Sequence, residues 1–95
     1  MLVSEAKVKT EKASRYIAQL CKHFQHKVPA EYDEREGRVD FQPGNCVMTA
    51  ADGVLTIRCE ADDEKAMGRV KYILDDHLTR FAWREKPEIV WENVA

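Results

Sequence analysis

Three cysteines in 95 residues, with no Cys-x-x-Cys spacing, give this chain neither a disulfide framework nor a zinc-finger pattern. An odd count with no secretory leader reads as free thiols in a reducing compartment. Glycine (four) and proline (three) are scarce, so no low-complexity tract or linker divides the sequence, and residues 1–95 are expected to form a single domain. The longest uncharged stretch, Phe41 to Ala51, is interrupted by Pro43 and Gly44 and falls well short of the roughly 20 apolar residues that span a bilayer. The N-terminal Met-Leu-Val-Ser-Glu has no basic flank and no apolar leader region, and a cytoplasmic, non-membrane protein is the expectation. A glycine-rich phosphate loop, a Gly-x-Ser-x-Gly elbow and a His-Glu-x-x-His helix are all missing. Neither sign of charge dominates: 15 Lys and Arg stand against 17 Asp and Glu. A nucleic-acid footprint normally needs a clearly basic domain, so that partner class is disfavoured.

The composition is that of a folded chain, 44% hydrophobic and 34% charged. Charge is unevenly placed: +4 over residues 1–30, −7 over 31–64 and +1 over 65–95. Val3 to Lys9 alternates as a strand. Thr10 is the expected N-cap of a helix from about Glu11 to His26. Its apolar stripe, Ala13, Tyr16, Ile17, Leu20, Cys21 and Phe24, follows the i, i+3, i+4 spacing of a core-facing helix. Pro29 ends it. Asp62 or Asp63 then opens a second helix, running to about Trp83, with Met67, Val70, Ile73, Leu74, His77, Leu78 and Phe81 on its core side. A last strand-like piece is expected over Glu88 to Trp91.

Between the helices lie three turn signals, around Arg35-Glu36-Gly37, at Pro43-Gly44 and at Asp52-Gly53. Asp-Gly between apolar runs specifies a two-residue hairpin. That turn sets Ala50 against Leu55, Met48 against Ile57 and Cys46 against Cys59 on one face. A two-residue turn at Pro43-Gly44 would add Phe41 opposite Cys46 and Val39 opposite Met48. The expected fold is therefore α+β and two-layered: an antiparallel sheet with both helices on one face, in the order β-α-β-β-β-β-α. This resembles TATA-binding-protein repeats and helix-grip domains, with a ferredoxin-like sandwich as the alternative.

Few residues are left over from this structural reading. His77 lies in the core arc of the second helix, where a buried imidazole needs a partner, and is the leading ligand-binding candidate. His23 is the second, and Arg80 and Arg84, with Glu85, are candidates for an anion. His23 and His26 share a helix face. With Cys46 and Cys59 they form a weak metal-ligand set, because Cys21 points about 160° away from His23 around the helix. Cys46 and Cys59 are also expected cross-strand neighbours. Tyr72 and Trp83 stand off the core stripe and suggest a partner surface, including that of a homodimer, unless the tail with Ile89, Val90 and Trp91 folds over them.

Two signatures, Leu20-Cys21-Lys22-His23-Phe24 with His26-Lys27, and His77-Leu78-Thr79-Arg80-Phe81-Ala82-Trp83-Arg84-Glu85, make the chain resemble a bacterial family. The resemblance runs from about Thr10 to Trp91 and is to the family catalogued as domain of unknown function 2218. It implies a bacterial cytosolic protein of no assigned activity. An association of relatives with siderophore use would add iron or a siderophore as a ligand, without assigning any residue a role. The leading functional expectation is a non-enzymatic small-ligand binding or accessory module with no specified cofactor. The alternatives are a metal- or thiol-dependent enzyme using His77, His23 and a cysteine, and nucleic-acid binding through the sheet. The last is weakened because Arg38 and Arg58 share the polar face with Asp40 and Glu60.

Overall fold

Asp52 and Gly53 both take left-handed backbone conformations, with φ of 53° and 71°. That is what a type I′ hairpin demands, and Asp-Gly supplies it at low steric cost. The hairpin joins the two longest central strands in the register its sequence dictates: Ala50 opposes Leu55, Met48 opposes Ile57 and Cys46 opposes Cys59. The structure, a computed structural model, describes residues 1–42 and 44–94. Around this hairpin the chain runs β1 (Leu2–Lys9), α1 (Ala13–Phe24), β2 (Ala30–Tyr32), β3 (Glu36–Asp40), β4 (Gly44–Ala51), β5 (Val54–Ala61), α2 (Glu64–Phe81) and β6 (Trp91–Asn93). The described strands form one antiparallel six-stranded sheet in the order β2-β3-β4-β5-β1-β6.

Alternation gives the sheet one apolar face. Ala6, Val8, Val39, Cys46, Met48, Leu55, Ile57 and Cys59 are all buried on it, against the stripes of both helices. Helix α1 contributes Tyr16, Ile17, Leu20, Cys21 and Phe24, and α2 contributes Met67, Val70, Leu74 and Leu78. The two-layer α+β architecture expected from the sequence is thus the one observed. Asp63 caps α2, its carboxylate accepting the Ala66 N–H at 2.8 Å.

Several local expectations are corrected. Helix α1 begins at Ala13, two residues later than expected, because Thr10 is not its cap. The Thr10 hydroxyl accepts the Lys12 N–H at 3.0 Å and organises a turn ahead of the helix. The helix also stops at Phe24 instead of His26, and Lys27 and Val28 N–H groups both close back onto Phe24 O. The first hairpin turn lies earlier than expected. Asp33 accepts the Arg35 and Glu36 N–H groups at 2.8 Å each, so Glu36 and Gly37 already belong to β3. Helix α2 ends at Phe81, ahead of Trp83, and the final strand lies at Trp91–Asn93, ahead of which Glu88 to Val90 run outside the ladder.

The turn expected at Pro43-Gly44 falls partly outside the described residues, since Pro43 is not among them. Its flanking register is described and differs by two residues. Val39 opposes Cys46 and Gly37 opposes Met48. Phe41 has left the ladder, with its N–H and that of Gln42 both reaching Gly44 O, and Gln42 adopts φ of 46°. The shift is even, so the covered face keeps its membership. The displaced Phe41 ring packs edge-on to Phe24 at 5.0 Å.

Candidate functional site

The two helices lie side by side on the sheet, and their seam ends near the C-terminus of α1. There the last turn of α1 presents His23 and Phe24. Helix α2 presents Ile73 and His77 one turn apart, and the connection after β3 supplies Phe41. Together with Lys27 and Val28 they line a recess of about 260 Å³. Its walls are chiefly aromatic or aliphatic, and its polar groups are two imidazoles and one ammonium.

The imidazoles of His23 and His77 face one another, ring centres 4.7 Å apart and planes inclined by 48°. Phe24 meets His77 edge-on at 5.0 Å, and Phe81 lies 5.9 Å from His23. His77 Nδ1 sits 2.7 Å from Ile73 O, one turn back on its own helix. A carbonyl can only accept, so Nδ1 carries the proton and donates. The described hydrogen bonds leave Nε2 uncommitted. His23 is largely exposed, yet partial desolvation lowers its pKa, and repulsion from His77, His26, Lys27 and Arg80 lowers it further. His23 is accordingly neutral at pH 7. A neutral imidazole with a usable lone pair can accept a hydrogen bond or ligate a metal.

The structure brings the His23 and His77 rings together, and none of the remaining candidates lines their recess. His26 lies in the turns after α1 and is exposed. Cys46 and Cys59 sit opposite one another inside the core as free thiols, with Cys21 likewise buried. Burial pushes Cys59 up to about 12 and Cys21 up to about 11, and holds Cys46 well above the ordinary range. All three are protonated at neutral pH. Among the described residues no group of three or more His, Cys, Asp or Glu side chains is placed to hold a metal ion.

Arg80, Arg84 and Glu85 do three different things. Arg80 pairs with Asp76 one turn away, at 3.4 Å, on the exposed side of α2. The Arg84 guanidinium lies 5.2 Å over the Trp83 ring. Glu85, itself exposed, accepts two hydroxyls from the buried side, from Thr10 at 2.9 Å and from Tyr16. The sequence places Glu85 with Arg80 and Arg84 as candidates for an anion and does not announce its role as an acceptor for two hydroxyls. The one signal available is a tyrosine in the core stripe of α1, whose hydroxyl needs a partner when buried.

That clamp has a pH signature. Burial, reinforced by the Glu85 carboxylate, raises Tyr16 to about 12 from an ordinary value near 10. The folded state holds the phenolic proton more tightly than the unfolded chain does. This contribution is therefore complete below pH 10 and is lost as the pH rises through about 12. In alkaline denaturation the difference between wild type and Tyr16→Phe should shrink over that window. The amplitude expected is on the order of 2 kcal/mol. An unchanged difference from pH 8 to 12 would remove Glu85 as the partner of Tyr16.

Tyr72 and Trp83 are 72% and 63% exposed. The tail does not fold over them. Trp91 instead enters the far side of α2, donating its indole N–H to Asp75 at 2.9 Å with Lys71 5.6 Å from its ring.

Fold and pocket together define the class: a two-layer α+β domain, two helices on a six-stranded antiparallel sheet, with a histidine-paired recess at the end of the helix seam. The family profile described as an uncharacterized protein conserved in bacteria, domain of unknown function 2218, matches residues 5–92. The chain belongs to that family, the one its sequence signatures resemble. An NMR structure of PA4090 from Pseudomonas aeruginosa is similar at 35% sequence identity. The match has a TM-score of 0.82 and covers 97% of this chain and 96% of that one. No curated protein matches the sequence. Among the described residues no helix is long and apolar enough to cross a membrane.

Proposed function

We propose that this chain is a small-ligand binding or accessory module of the bacterial cytoplasm, not an enzyme, and that its ligand seats between His23 and His77. One observation carries the reading: two imidazoles from different helices meet at 4.7 Å in a recess otherwise walled by Phe24, Phe41 and Ile73. A pocket of this kind takes a flat or apolar body and addresses it with a few placed polar groups. Lys27 at the recess adds a fixed positive charge for an acidic substituent. The lining holds no hydroxyl, thiol or carboxylate, so it offers no serine-, cysteine- or carboxylate-type nucleophile, and the core thiols are too deeply buried and too firmly protonated to serve as one.

The siderophore association implied by the family resemblance selects the first ligands to try. Thermal unfolding should be followed with ferric iron, haem and ferric siderophores, for wild type, His77→Ala and His23→Ala. A ligand of this site raises Tm in proportion to the logarithm of its concentration. His77→Ala should weaken binding about tenfold or more, the loss of one good polar contact. If none of the panel shifts Tm, the iron reading fails. If a ligand binds both histidine variants as tightly as wild type, it does not occupy this recess.

A further inference from the structure

A second recess opens at the opposite end of the helix seam, where α1 begins and α2 has just ended. It has a volume of about 330 Å³, and its lining includes Lys12, Arg15, Gln19, Trp83 and Arg84. Phe81 lines it as well, and the same ring approaches His23 and His77. The two recesses are separate, with no lining residue in common, and the Phe81 ring lies between this one and the two histidines.

Three cations converge here. Elsewhere on the surface Arg38, Arg58 and Arg80 each pair with a carboxylate. Among the described residues Lys12, Arg15 and Arg84 have no carboxylate within 4.0 Å. The nearby Glu85 carboxylate accepts the hydroxyls of Thr10 and Tyr16, and the charge of Lys12 acts on it from beyond that distance. Trp83 adds a large exposed ring with the Arg84 guanidinium above it. Unpaired guanidinium groups match carboxylate and phosphate oxygens, and an indole–guanidinium pair is a surface on which planar rings stack.

We propose that this recess binds a planar aromatic anion, a ring bearing a carboxylate or phosphate, stacked against Trp83 with its charged head between Arg15 and Lys12. The site is independent of the His23–His77 pocket, and its failure would leave that reading untouched.

The test uses the full chain labelled with nitrogen-15, in which Trp83 and Trp91 give two indole N–H resonances assigned through Trp83→Phe. Phenyl phosphate, benzoate, inorganic phosphate and benzyl alcohol are titrated at low salt. The aryl anions should shift the Trp83 signal saturably and leave that of Trp91 in place. Inorganic phosphate and benzyl alcohol, each half of the ligand, should bind about tenfold more weakly or worse. Arg15→Gln, a change at an exposed position, should weaken the aryl anions about tenfold, the effect of removing one charge-assisted hydrogen bond. Added salt should weaken them further. A preference for phenyl phosphate over benzoate, or the reverse, identifies the head group, and either supports the site. The proposal is overturned if no saturable shift occurs, if benzyl alcohol matches the aryl anions, or if both Arg15→Gln and Arg84→Gln bind as tightly as wild type.

Discussion

Replacing Gly37 with valine is expected to cost roughly 3 kcal/mol or more, at the upper end for inserting methyl groups into a packed core. Gly37 lies on β3 opposite Met48, directly beneath α1. A Cβ at this position would stand 2.7 Å from Ile17 Cγ2 and 2.8 Å from Cys21 Sγ. Both neighbours are fully buried side chains one turn apart on α1. Neither can swing into solvent, so α1 must lift or β3 must drop. Alanine at Gly37 should show the same effect in smaller measure, about 1–3 kcal/mol. Gly68 provides the opposite case. It lies on the outside of α2 with nothing within 4 Å of an added Cβ, and Gly68→Ala should stabilise the protein by about 0.5–1 kcal/mol. Urea unfolding of the three variants measures both signs. A Gly37→Val protein as stable as wild type would mean that the helix does not approach the sheet this closely.

Trp91→Ala is expected to be the other severe change, about 2–3 kcal/mol, somewhat below the range for a fully buried tryptophan because this one is half-exposed. The ring ties three things together. It opposes Ala6 in the pairing of β6 with β1, packs on the core beside Lys71, and donates its indole N–H to Asp75 of α2. Removing it should free β6. The amides that hold the β1–β6 ladder, including the Val94 N–H on Val3 O, should then exchange with solvent far faster than those between β4 and β5. Trp91→Phe keeps much of the apolar area but loses the hydrogen bond, and should cost about 1 kcal/mol. Equal exchange protection in Trp91→Ala and wild type would show that β6 is held by its backbone alone.

What the sequence revealed and what it hid follow the distance over which each signal acts. The Asp52-Gly53 turn is local, and with strict alternation it settled the β4–β5 register and placed Cys46 beside Cys59. The helix stripes are equally local, and the buried sides of α1 and α2 are those their spacing indicated. The β3–β4 register departs by two residues from that of a two-residue turn, and the displaced Phe41 rests on Phe24, a contact that no local signal announces. The Thr10–Tyr16–Glu85 clamp joins residues 69 and 75 positions apart, and nothing in helical periodicity announces it. His77 was singled out because a histidine in a core stripe needs an explanation. The sequence names His23 beside it; that the two rings meet at 4.7 Å depends on how the helices lie against one another, which neither helix encodes by itself.

The shortness of β6 leaves a mark on how molecules of this protein meet one another. β6 pairs with Ser4, Glu5 and Ala6 of β1, with the Val94 N–H reaching Val3 O, and past Ala6 the rim of the sheet continues as Lys7, Val8 and Lys9. An open rim of backbone N–H and C=O groups is a template for edge-to-edge growth with other chains. Here two lysines, both exposed, flank the single buried valine, so a second copy adding at this rim would bring its own lysines against theirs. On this side of the sheet the protein thus covers part of β1 with a three-residue strand and sets like charge along the uncovered stretch, which disfavours edge-to-edge growth there.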